Sequence, residues 1–164
     1  MKRTVLAGLL LLVAGAASAQ PIPAGQKVGL AAYLKGSYVG LKSNLTASAD
    51  KMPEADYNFK PGSMPEVRTF GQLFAHVAAA QFSICAAAKG APNPNQGRDL
   101  ERELKVKSEF TKALSDSFAL CDDVFSSLAD ANVLDFVKQG PGEVTRSAAL
   151  VGLLAHGVSP HVIP

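Results

Sequence analysis

Four stretches of the chain repeat their apolar residues with helical period, and none alternates as a half-buried strand would. In the first, Leu30, Leu34, Tyr38, Leu41, Leu45 and Ala49 form one stripe, and Met52-Pro53 ends it. The second opens on Thr69-Phe70-Gly71-Gln72, the pattern of a capping box, in which Thr69 caps and Gln72 reaches back. Phe70, Leu73, Val77, Ala80 and Ile84 give its seam, and Lys89-Gly90 reads as its end. The third starts near Ser108, with Phe110, Leu114, Phe118, Cys121, Phe125 and Leu128 inward. The fourth opens near Glu143, after Gly140-Pro141-Gly142, and carries Val144, Ala148, Val151 and Leu154. Helix and loop then account for the chain, which predicts an all-α four-helix bundle.

The connections restrict the helix order. Antiparallel neighbours are usually joined by 2–8 residues, but about 16 separate helices 2 and 3, over residues 90–105. A linker of that length crosses the ~30 Å of a 20-residue helix with slack. The expected order is therefore up-down-down-up, with helices 2 and 3 parallel. The two cysteines fit it. Cys85 and Cys121 lie 16 and 13 residues into their helices, which puts them ~24 and ~20 Å along. In a parallel pair those levels nearly match, and in a hairpin they would be ~15 Å apart, too far to bond. A Cys85–Cys121 disulfide is the first reading, and two reduced buried thiols are the alternative.

Charge and cysteine usage bear on location. Lys2 and Arg3 precede an apolar run from Val5 to Gly15 and the triplet Ala17-Ser18-Ala19. This is the layout of a signal peptide over residues 1–19, followed by a mature domain over 20–164. The apolar run is too short to span ~30 Å of hydrocarbon. No later segment is apolar enough to cross, so no stable membrane anchor is expected after cleavage. The protein is expected to be exported, periplasmic or secreted, where a disulfide persists. Removing the leader takes Lys2 and Arg3 from the 16 basic residues and leaves the 14 acids, so the balance becomes 14 against 14. No dense basic stripe remains, which excludes nucleic acid as a partner. No G-x-S-x-G elbow, phosphate loop or C-x-x-C is present either.

Chemistry concentrates on the histidines. His76 sits beside the helix 2 seam ~10 Å from the helix start, and His156 lies ~20 Å along helix 4. If helix 4 runs against helix 2, the two reach one level inside the bundle, where metal sites are built. Imidazole suits a divalent first-row ion such as Zn or Ni. A hydrogen-bonded core role for each is the alternative on spacing alone.

Two runs carry a family resemblance: Met52-Pro53-Glu54-Ala55-Asp56-Tyr57-Asn58-Phe59-Lys60-Pro61, and Glu66-Val67-Arg68-Thr69-Phe70-Gly71-Gln72-Leu73-Phe74-Ala75-His76. Together they resemble the DinB-like family of small bacterial bundle proteins. The likeness is close from Leu34 to Cys85 and looser beyond. It implies an up-down-down-up bundle and a three-histidine divalent-metal site. The first ligand maps to His76. The others form an H-x-x-x-H pair on helix 4, where Leu153-Leu154-Ala155-His156 matches the approach to the second. The third falls at Pro160. His161 is five residues beyond His156, ~140° around a helix, and Pro160 would end that helix. His161 is thus a ligand only from a frayed tail, and a carboxylate or water is needed to complete the set. The tail also lacks the family's last turns, as in a truncated or divergent C-terminus.

The resemblance further implies enzyme ancestry, since relatives include metal-dependent thiol transferases, and it admits a homodimer. No small-molecule ligand is specified. Two functions follow as expectations. One is an exported metal-binding bundle with a degenerate site, and the other is a non-catalytic exported bundle used for binding or assembly.

Overall fold

The structure, a computed structural model, describes residues 25–158; the leader expected over 1–19 and His161 lie outside them. Its helices are α1 (Leu30–Lys51), α2 (Phe70–Lys89), α3 (Leu100–Glu103), α4 (Lys107–Ser127) and α5 (Arg146–Val158). A hairpin of β1 (Phe136–Gln139) and β2 (Gly142–Thr145) precedes α5. The expected all-α helical bundle is present, built on α1, α2, α4 and α5.

Local chemistry sets the helix ends. Thr69 Oγ1 accepts from Gln72 N (3.2 Å) and Gln72 Oε1 accepts from Thr69 N (2.9 Å), so the capping box at α2 is complete. Gly90 closes α2 at φ 71°, and Ala91 N then donates to Ala86 O. The start of α1 is held from far along the chain. Asp130 Oδ1 accepts from Ala31 N at 2.8 Å, across 99 residues. The loop after α1 is pinned by Tyr57, which is buried and donates its hydroxyl to Ala49 O at 2.6 Å.

The order of contacts along α2 and α4 gives their relative direction. Gly71 lies against Phe110, Ser117 Oγ donates to Gln81 Oε1 (2.6 Å), Cys85 is bonded to Cys121, and Lys89 pairs with Asp123 (2.8 Å). Both helices are climbed in the same sense, so they run in the same direction. The expected Cys85–Cys121 disulfide is present with Cα atoms 5.3 Å apart and both residues fully buried. Helix α1 runs against α4. Tyr38 donates to Asp122 Oδ1 (2.8 Å), Lys42 pairs with Asp122 Oδ2 (2.6 Å), and Lys107 Nζ donates to Asp50 O at the other end. Tyr38 also stacks on Phe125, with ring centroids 4.0 Å apart.

Five expectations need correction. Residues 142–145 are strand, not the first turn of the last helix, which begins at Arg146. Gly140, at φ 60°, supplies the left-handed turn residue between the strands, and Val137 pairs with Val144. Four-residue strands are too short for alternation to stand out from the helical pattern that follows. Thr145 then caps α5, accepting from Ala148 N at 3.2 Å. On α5 the buried apolar positions are Ala149, Leu150 and Leu153, whereas Ala148 and Val151 face outward.

On α2 the seam is displaced in the same way. Phe74, Ala75, Ala78, Gln81 and Cys85 are buried, and Leu73, Val77 and Ile84 are half-buried. Gly71, at the start of that buried row, lies directly against Phe110 of α4. The long connection is not all loop, because Asp99 caps the four-residue α3, and Leu100 buries against Tyr57, Ala75 and Phe110. Finally, by length and composition α2 is apolar enough to cross a membrane. Here it is the central helix, packed against α3, α4 and α5.

The close approach of α2 to α4 gives two expected outcomes. A Cβ on Gly71 would stand 2.5 Å from the buried Phe110 ring. Gly71→Ala should therefore lower stability by about 1–3 kcal/mol, read as a lower urea midpoint at unchanged slope. Replacing both Cys85 and Cys121 by Ala should cost roughly 3–4 kcal/mol by the same measurement, given a closed loop of 36 residues.

Candidate metal centre

His76 stands in the second turn of α2, and His156 in the last turns of α5. Arg146, at the start of α5, donates through Nε to Ala88 O, so α5 runs back down α2 from its C-terminal end. That brings the two imidazoles to one level, as their spacing predicted, where they meet edge to edge. Their Nε2 atoms are 2.9 Å apart and the ring centroids 4.8 Å apart.

The other edge of His76 is held by a carboxylate. Glu101 Oε1 lies 2.6 Å from His76 Nδ1, and Glu101 Oε2 accepts from Arg68 Nε at 2.6 Å. Gln72 Nε2 donates to the backbone oxygen of Glu101 at 3.4 Å. The result is a chain Arg68–Glu101–His76–His156 drawn from the loop before α2, α3, α2 and α5. His76 and Glu101 are each about a quarter exposed. Burial pushes the Glu101 carboxyl up, but hydrogen bonds from Arg68 and His76 and their charges outweigh it, holding Glu101 below the usual carboxylate range.

Spacing and periodicity do not single out Glu101 or Arg68. Arg68 lay within the motif before α2, but nothing in spacing gave it a partner. Glu101 lay in the run Arg98-Asp99-Leu100-Glu101-Arg102-Glu103, which reads as a solvated charged patch. The usable signal was Leu100, a single apolar residue after a capping Asp99, which anchors that run and aims its neighbour inward.

The donor chemistry bears on metal binding. Two neutral imidazoles sharing a tetrahedral ion at ~2.0–2.1 Å hold their nitrogens ~3.3 Å apart. A spacing of 2.9 Å needs only a few tenths of an ångström of opening. Glu101 is no third ligand, because it occupies the Nδ1 edge of His76, away from the Nε2 seat. Among the described residues no group of three His, Cys, Asp or Glu side chains is arranged to hold a metal. Cys85 and Cys121 are bonded to each other and offer no thiolate. An open cavity of about 870 Å³, lined by Lys89, Phe136, Lys138 and Arg146 among others, lies at the opposite end of α2.

The match of the DinB superfamily spans residues 39–158, most of the chain. The protein belongs to the DinB superfamily. A solved structure, a conserved protein from Enterococcus faecalis, is similar in fold, with a TM-score of 0.62 at 15% identity. The likeness covers 80% of this chain and 91% of that one. No curated protein matches the sequence. Within this DinB-superfamily chain, the matched span contains His76, Glu101 and His156 alike.

Acid should loosen the Arg68–Glu101–His76 cluster. A carboxylate whose folded-state pKa is depressed stabilises fully above its unfolded value and loses that contribution as pH falls through the folded one. The stability difference between wild type and Glu101→Gln, measured by urea unfolding, should therefore be fully present above the ordinary Glu range. It should shrink as pH is lowered through the range below about 4.3, the ordinary Glu value.

Proposed function

We propose that this DinB-superfamily protein is exported and seats a divalent transition metal, Zn²⁺ or Ni²⁺, between His76 and His156. The observation that carries this reading is the pair of facing Nε2 atoms at 2.9 Å, on antiparallel helices, with the opposite edge of one ring already tied to a carboxylate. Water or a residue outside those described completes the coordination, since Pro160 stands where the family's third histidine falls.

An ion held there supplies Lewis acidity toward a bound water or thiol. The chain's own part is to present two imidazole donors from a rigid pair of helices, with α2 locked to α4 by the disulfide. Export is supported by the layout of residues 1–19 and by the disulfide.

A second reading is a non-catalytic exported bundle that uses the scaffold for binding or assembly. It is favoured by one specific observation, the lack of a three-ligand group among the described residues.

Metal uptake separates the two. At Zn²⁺ or Ni²⁺ a hundredfold above Kd, binding to the folded state alone should add ~2.7 kcal/mol, a melting rise on the order of 5–10 °C for a domain of this size. His76→Ala and His156→Ala should each abolish the rise. A wild-type protein whose melting temperature does not move with either ion leaves the non-catalytic bundle as the function.

A further inference from the structure

The geometry assigns Glu101 as the positioning residue of this site: its carboxylate fixes the proton of His76 on Nδ1 and so delivers the Nε2 lone pair toward His156. An ionised carboxylate has no hydrogen to give. At 2.6 Å from Nδ1, Glu101 Oε1 can only accept, so Nδ1 carries the hydrogen. Neutral imidazole then has its lone pair on Nε2, the atom 2.9 Å from His156 Nε2. In the metal-free protein that close approach is a hydrogen bond in which His156 Nε2–H donates. The same Nε2 of His76 is the donor atom that a metal requires.

The surroundings of Glu101 look built for this one carboxylate. Leu100 buries its side chain in the cluster of Tyr57, Ala75, Ala78 and Phe110 and so anchors α3. Asp99 caps α3 by accepting from Arg102 N at 3.2 Å. Gln72 holds the Glu101 carbonyl, and Arg68 holds the second carboxylate oxygen, leaving Oε1 for His76. Four separate contacts thus fix the rotation and depth of a side chain on a four-residue helix. Outer carboxylates of this kind orient ligating imidazoles and raise their basicity, and their loss typically weakens metal affinity ten- to a hundredfold. Arg68 is part of the same device, since without it Glu101 can turn its free oxygen away from the ring.

The affinity consequence rests on reading His76 as a metal ligand, whereas the tautomer does not, and the test keeps them apart. Long-range ¹H–¹⁵N spectra of the full-length, metal-free protein at pH 8 report which nitrogen of His76 bears the proton. Wild type should show the Nδ1–H form. Glu101→Ala should shift it to the Nε2–H form or a mixture, with unchanged helix content by circular dichroism, and Arg68→Met should move it part of the way. Zn²⁺ titration by calorimetry is the second readout. Glu101→Ala should raise Kd ten- to a hundredfold while keeping one site, and Glu101→Asp should recover part of the loss.

His76 in the Nε2–H form in wild type, or in the Nδ1–H form in Glu101→Ala, overturns the assignment. So does a wild-type Kd in Glu101→Ala. Failure of wild type to take up zinc defeats the metal reading alone, and the tautomer spectra still decide the role of Glu101.

Discussion

The side-by-side packing of α2 on α4, running in one direction, is the contact on which the other elements depend. Two helices adjacent in sequence cannot lie parallel without a connection as long as themselves, and residues 90–105 supply it. Small residues on α2, Gly71, Ala75 and Ala78 among them, let α4 approach closely, and the Cys85–Cys121 bond fixes the axial register. Once that register is set, α1 can only fit against α4 where Tyr38 and Lys42 both meet Asp122. Burial and the adjoining carboxylate raise the Tyr38 hydroxyl far above its ordinary range, so it serves as a permanent donor across the interface.

The same connection also creates the chemistry. A crossover running the length of the bundle must pass the end of α2 where His76 sits. A short turn capped by Asp99 on that path puts Glu101 beside the ring. The carboxylate that orients the histidine is thus a by-product of helix order. An antiparallel α2–α4 hairpin would have had no chain there to carry it.

Much of this was legible in the sequence. The stripe of α4, from Phe110 to Leu128, is buried as its period indicates, and Thr69 with Gln72 form the expected box. The level-matching of Cys85 with Cys121 and of His76 with His156 needed only rise per residue and a direction for each helix. The rest resisted for physical reasons. On α2 nearly every position is apolar, so periodicity could not tell the buried row from the half-buried one beside it. The hairpin has strands of four residues, below the length at which alternation registers. Glu101 and Arg68 became visible only when the fold brought together residues 33 positions apart. Charge patterning finds partners at helical spacing, and these two share no helix.

The cap of α1 has a consequence for how the chain comes together in time. Asp130 lies 99 residues beyond Ala31, which at ~5–20 residues per second places its synthesis ~5–20 s later. Until then the first helix has an open N-terminal end and no α4 to lie against. That helix, which carries Gly36 and Gly40 in its interior, has little propensity to hold itself together. The earliest long helix of the domain is therefore among the last to become secure. An emerging N-terminal half would stay loosely structured and open to a chaperone until the segment bearing Asp130 arrives.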